Sequence, residues 1–91
     1  MIFAIIYAID DSKRDYSRLY EKIKSFGVWM HYIDSAWFVS VSGRSTAKDI
    51  SNELRPLIDK DDDYLLVIQV TRNYHGWLPE DAWKWMKERT Y

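Results

Sequence analysis

The sequence predicts an α+β domain organised around a central strand, and three observations predict it. The first stretch, Ile2 to Asp11 (IFAIIYAIDD), is apolar on both alternating sets, with Phe3, Ile5, Tyr7 and Ile9 on one and Ile2, Ala4, Ile6 and Ala8 on the other. A strand apolar on both faces is normally covered above and below. Two stretches of helical spacing and three further β-rich runs then follow in the order strand, helix, strand, strand, helix, strand. An aromatic-rich tail comes after the last strand.

With 91 residues the chain makes one domain. At this size folding buries only ~60–65% of the unfolded surface, a marginal core that a second chain would help to cover. Apolar content of 47% and charged content of 30% are ordinary for a globular protein. Cysteine is absent, which removes disulfides, thiolate metal sites and thiol nucleophiles. The N-terminal apolar run is too short for a signal sequence with its flanks and has no basic lead, so it reads as a strand. No segment reaches the ~20 apolar residues of a membrane span, and the expected setting is cytoplasmic. A net charge of −1 argues against coating nucleic acid through bulk charge, though local basic faces remain open. The five Trp, seven Tyr and three Phe exceed what so small a core needs and point to an interface.

After the first strand, Ser12 reads as a helix N-cap with Asp15 at N3. Tyr16, Leu19, Tyr20, Ile23 and Phe26 then fall on an arc of about 120°, and Gly27 supplies the stop. Val28 to Ile33 and Ala36 to Val41 form a hairpin across Asp34-Ser35. Gly43-Arg44 make the next turn. Ser45 or Thr46 caps a second helix whose Ala47, Ile50, Leu54, Leu57 and Ile58 share an arc of about 100°, with Pro56 shortening its last turn. Asp59 to Asp63 is an acidic loop, and Tyr64 to Val70 (YLLVIQV) a further strand. This order is that of a ferredoxin-like βαββαβ sandwich, residues 1–70, whose first and third strands are central. Residues 71–91 form an extension of the same domain. Thr71 to Leu78 is irregular, then Pro79 at N1 with Glu80 and Asp81 opens a third helix. Its Leu78, Ala82, Trp83, Trp85 and Met86 span an arc of roughly 160°, wider than one core contact requires.

Helices on one side leave the other sheet face apolar, which predicts a homodimer with sheets face to face or joined at their edges. The alternative is a C-terminal helix folded back over that face, and the two are compatible. Trp77, Trp83 and Trp85 are the interface candidates, weighed evenly against packing within the subunit.

Three segments carry a resemblance to a known family. YAIDDSKRDY (Tyr7 to Tyr16), the helix ending in Ser25-Phe26-Gly27, and the hairpin YIDSAWFVSV (Tyr32 to Val41) resemble the small CRISPR-associated Cas-two family. They equally resemble its solitary relatives, among them virulence-associated protein D. The likeness spans roughly Met1 to Val70. It implies homodimers of ferredoxin-like subunits, some cutting RNA or DNA with a metal held by an Asp at the end of the first strand of each subunit. Others do no chemistry and serve as platforms for DNA and partner proteins. In this sequence the family's Asp falls on Ala8. Asp10, two residues on, is the candidate replacement: a pair of such carboxylates could hold Mg²⁺ with waters if the strand continues. The plainer reading of Asp10 and Asp11 is acids at a helix start. Ser35 matches the family's hairpin serine and is a second catalytic candidate, against a plain role in the turn.

Arg14, Arg18 and Lys22 are four apart and make a basic stripe that is a candidate phosphate-contacting face, although Asp15 and Glu21 flank it. His31 and His75 lack partners at ligand spacing. Asp59, Asp61 and Asp63 start like a calcium loop, but Tyr64 and Val70 stand where Gly and Glu are needed. Three dispersed Gly exclude a nucleotide-binding fingerprint. The leading expectation is therefore a Cas-two-like homodimer with a degenerate nuclease site that binds nucleic acid or regulates, in a defence-related setting. The enzyme alternative is a Mg²⁺-dependent endoribonuclease using Asp10. The third is a protein-interaction module anchored by the C-terminal tryptophans.

Overall fold

The computed structural model describes residues 1–91. Four strands, β1 (Ile2–Ala8), β2 (Val28–Ile33), β3 (Ala36–Ser40) and β4 (Tyr64–Val70), form one antiparallel sheet in the order β2-β3-β1-β4. Three α-helices, α1 (Ser17–Ser25), α2 (Ala47–Leu54) and α3 (Glu80–Lys87), pack on it, and a 3₁₀ turn at Arg55–Leu57 follows α2. The α+β class and the central places of β1 and β3 agree with the sequence pattern. No helix is long and apolar enough to cross a membrane.

The two apolar sets of β1 go to two different cores. Phe3, Ile5 and Tyr7 join Trp37 and Val39 of β3, Leu19 and Ile23 of α1, and Ile50 and Leu54 of α2 in the larger cluster. On the other face Ile2 and Ala4 are buried, and α3 folds back to place Ala82 and Met86 against Met30. The smaller cluster also gathers Phe38, Val70, Leu78 and Trp85. Burial at both faces is what keeps a strand this apolar out of water.

Helix α2 starts where a capping box places it. Thr46 accepts from the Asp49 amide at 3.1 Å, and Asp49 accepts from the Thr46 amide at 3.0 Å. Pro56 converts its end into the 3₁₀ turn. Helix α1 starts later than Ser12. Its first residue is Ser17, whose amide is taken by the Asp15 carboxylate at 2.9 Å. The Asp10 and Asp15 carboxylates accept from the Ser12 and Ser17 amides, the Ser12 hydroxyl donates to Asp10, and that local competition holds residues 11–16 out of the helix.

Gly27 also plays a different part from a left-handed stop. Only Gly43 has positive φ, at 85°. At Gly27 a Cβ would sit 2.0 Å from the Ser40 carbonyl oxygen, so the glycine permits β2 to leave α1 directly against β3. Gly27→Ala is therefore expected to lower stability by about 1–3 kcal/mol through overpacking against backbone. Gly43→Ala meets no neighbour and costs only the backbone strain, about 1–2 kcal/mol. Urea denaturation midpoints of the two variants test the order.

Candidate functional site

The strand end that carries the resemblance is built by β1 and the β2–β3 turn. Ala8 is the last residue of β1; it is exposed and paired with Tyr64. Just before it, the Tyr7 amide donates to the Ser35 carbonyl at 3.0 Å. The Tyr7 phenol donates to the Asp34 carbonyl at 3.1 Å and receives the Trp37 indole N–H at 2.9 Å. Burial pushes the Tyr7 phenol up, an effect the Trp37 bond opposes. These bonds tie the Asp34-Ser35 turn to the strand end and give the Trp37 indole and the Tyr7 phenol their partners.

Strand β1 does not continue to Asp10. After Ala8 the chain turns, with the Lys13 amide donating to the Asp10 carbonyl at 3.1 Å. The Asp10 carboxylate accepts from the Ser12 hydroxyl and, at 3.1 Å, from the Ser12 amide. Those two bonds, the hydroxyl's first, hold its pKa below the usual 3.8. The same-side placement of Asp10 with Ala8 is thus not realised, because local turn bonds replace the extended backbone it requires. What the fold gathers instead is Ala8, Asp11, Asp34 and Ser35 around a shallow depression of about 390 Å³, with Tyr7 and Tyr20 in its wall. Asp11 and Asp34 were invisible as neighbours in the sequence, since only the pairing of the hairpin with β1 brings them together. No group of three or more His, Asp or Glu stands close enough to hold a metal.

The basic stripe is not one helix face. Arg14 lies in the loop before α1 and reaches Asp59 at 2.8 Å and Asp62 at 3.5 Å. Lys22 on α1 is 3.4 Å from Glu53 on α2. Arg18 makes no ion pair. The acidic loop that faces Arg14 is ordered by its own backbone. The Asp59 carboxylate accepts from the Asp61 and Asp62 amides at 2.8 and 2.9 Å, which depresses its pKa. Asp63, reading as one more acid of a solvated turn, is instead buried. It accepts from the Tyr16 phenol at 2.6 Å and the Asp59 amide at 2.8 Å. The acidic loop clasps the β1–α1 loop through Tyr16 and Arg14.

The tryptophans divide three ways. Trp85 is half-buried against the Met30–Ala82–Met86 cluster, with Arg89 4.7 Å over its ring. Trp83 stacks on Tyr74 at 6.2 Å and 8°. Trp77 is 99% exposed. His31 is likewise engaged within the subunit, stacked on Trp37 at 3.8 Å and bonded through Nε2 to the Asp34 carbonyl at 3.0 Å; His75 is exposed. Compared with known protein families, curated proteins and solved structures, the chain gave no match.

Two outcomes follow from this geometry. A group whose folded pKa is depressed contributes stability above its unfolded value, and the contribution disappears as pH falls through the folded value. For Asp10 that window lies below 3.8, and Ser12→Ala should raise the Asp10 titration midpoint, read by carboxyl ¹³C NMR. Met86→Ala should cost ~2–5 kcal/mol as a core truncation, whereas Trp77→Ala should change the unfolding free energy by no more than ~0.5 kcal/mol, both read by urea denaturation.

Proposed function

We propose that this chain is a ferredoxin-like, Cas-two-like subunit that works as a cytoplasmic homodimer with a degenerate nuclease site, binding nucleic acid without cutting it. The defence-related setting comes with the resemblance. The carrying observation is the end of β1, where exposed Ala8 stands in the acid's place and the nearby Asp10 carboxylate is engaged by Ser12. Its Oδ1 takes both Ser12 bonds, and the turn after Ala8 carries the carboxylate off the extended strand that would aim it at a metal shared across a dimer axis. The strand order, with the helices α1 and α2 joined to one core, supports the ferredoxin-like assignment.

The nucleic-acid contact centres on Arg18, the one member of the stripe without an ion pair. Arg14 and Lys22 are held by carboxylates, but both are about 40% exposed, and exposed ion pairs are weak enough for a polyanion to displace. Metal-assisted cleavage by Asp10 is the enzyme alternative. A protein-interaction role is favoured separately by the fully exposed indole of Trp77.

Incubation with short RNA and duplex DNA in Mg²⁺ or Mn²⁺ should give no cleavage, and Asp10→Ala should behave like the parent. Metal-dependent cutting abolished by Asp10→Ala would overturn the non-cleaving reading. Filter binding at two salt concentrations should show an affinity that falls with salt and falls again in Arg18→Glu. Binding indifferent to both, or none, would leave the protein-interaction reading in its place.

A further inference from the structure

The two outer edges of the sheet are treated differently by the fold. The β2 edge carries a register shift between Met30 and Ile33, and its Trp29 ring lies under the Lys24 ammonium at 5.2 Å. Such bulges and charges blunt an edge against further pairing. The β4 edge has neither. Its seven residues, Tyr64–Val70, pair with β1 in unbroken register, contain no charge and no proline, and have no strand on their outer side. Tyr64, Leu66 and Ile68 leave 76%, 55% and 45% of their surface in water. An uncharged, regular and apolar edge is a template for another strand.

Resting on the homodimer reading, we propose that β4 pairs antiparallel with β4 of a second copy, about a two-fold axis at Val67. The sequence of this strand is suited to meeting itself. With Val67 opposite Val67, Leu66 stands across from Ile68, Leu65 from Gln69 and Tyr64 from Val70, so apolar side chains dominate and no like charges oppose. The same axis turns the strand end preceded by Asp62 toward the end followed by Arg72, placing opposite charges on the same side of the seam. Helix α3 already stands on the open sheet face, reaching Val70 from Met30, which favours growth at the edge over stacking of whole faces. Joined this way, two copies make an eight-stranded sheet along one seam of seven residues a side, which falls at the small end of specific interfaces. The dimer is accordingly concentration-dependent.

The chain has no cysteine, so single cysteines report the seam cleanly. Sedimentation equilibrium of the parent chain from low to high micromolar should show monomer passing to dimer. Under mild oxidation Val67→Cys should cross-link to itself. A mixture of Leu66→Cys and Ile68→Cys should cross-link at least tenfold faster than either alone, since directly opposed Cβ atoms lie ~4.5–5.5 Å apart and diagonal pairs ~7–8 Å. A dimer in which Leu66→Cys joins itself as fast as it joins Ile68→Cys, or in which none of these forms, overturns the β4 seam and leaves the homodimer standing. A chain monomeric throughout overturns both and assigns the edge to a different partner.

Discussion

Strand β1 has to be covered on two sides, and the chain must find the cover within a small number of residues. Phe3, Ile5 and Tyr7 are covered by α1 and α2. Ile2 and Ala4 lie on the opposite face, where the C-terminal extension brings α3. With apolar burial stabilising by roughly 25 cal/mol per Å², leaving either face wet would cost more than a domain of this size can spare. The extension is therefore part of the core. The same shortage shows at β4, where α3 reaches Val70 but leaves Tyr64, Leu66 and Ile68 in water.

Polar groups near the strand end are used to hold loops together. The Trp37 indole, Tyr7 phenol and Asp34 carbonyl form a satisfied relay that fixes the hairpin turn against β1. Tyr16 and Arg14 bind the acidic loop through Asp63 and Asp59. Asp10 accepts both Ser12 bonds through Oδ1. Each of these carboxylates is a stronger hydrogen-bond acceptor than a neutral group would be, which explains why acids are concentrated in the two loops at this end of the sheet. It also explains why their abundance is poor guidance to chemistry, since these carboxylates order the loops they stand in.

Much of the fold was legible because it depends on short-range pattern. Nearly unbroken apolar runs marked β1 and β4, helical spacing marked α1, α2 and α3, and Ser45 or Thr46 was expected to cap α2, a part that falls to Thr46. The start of α1 was less so: Ser12 and Asp15 satisfy the statistics of a cap, yet Ser12 bonds back to the Asp10 carboxylate and Asp15 takes the Ser17 amide, and the helix begins at Ser17. Gly27 looked like a helix stop, and its reason is a carbonyl of Ser40, thirteen residues away in sequence and adjacent in space.

The site divides along the same line. Sequence alone determined that the first strand ends on Ala8 and not on an acid, because identity at a position needs no coordinates. It also determined that β4 carries no charge. Only the tertiary structure decided that Asp10 turns away into its loop, that Asp63 is buried while its neighbours are not, and that Arg14 and Lys22 are paired while Arg18 is free. Those outcomes depend on contacts between segments distant in the chain, and on local turn bonds competing with extended backbone. Periodicity records which side chains avoid water; it does not record which polar group another polar group will find.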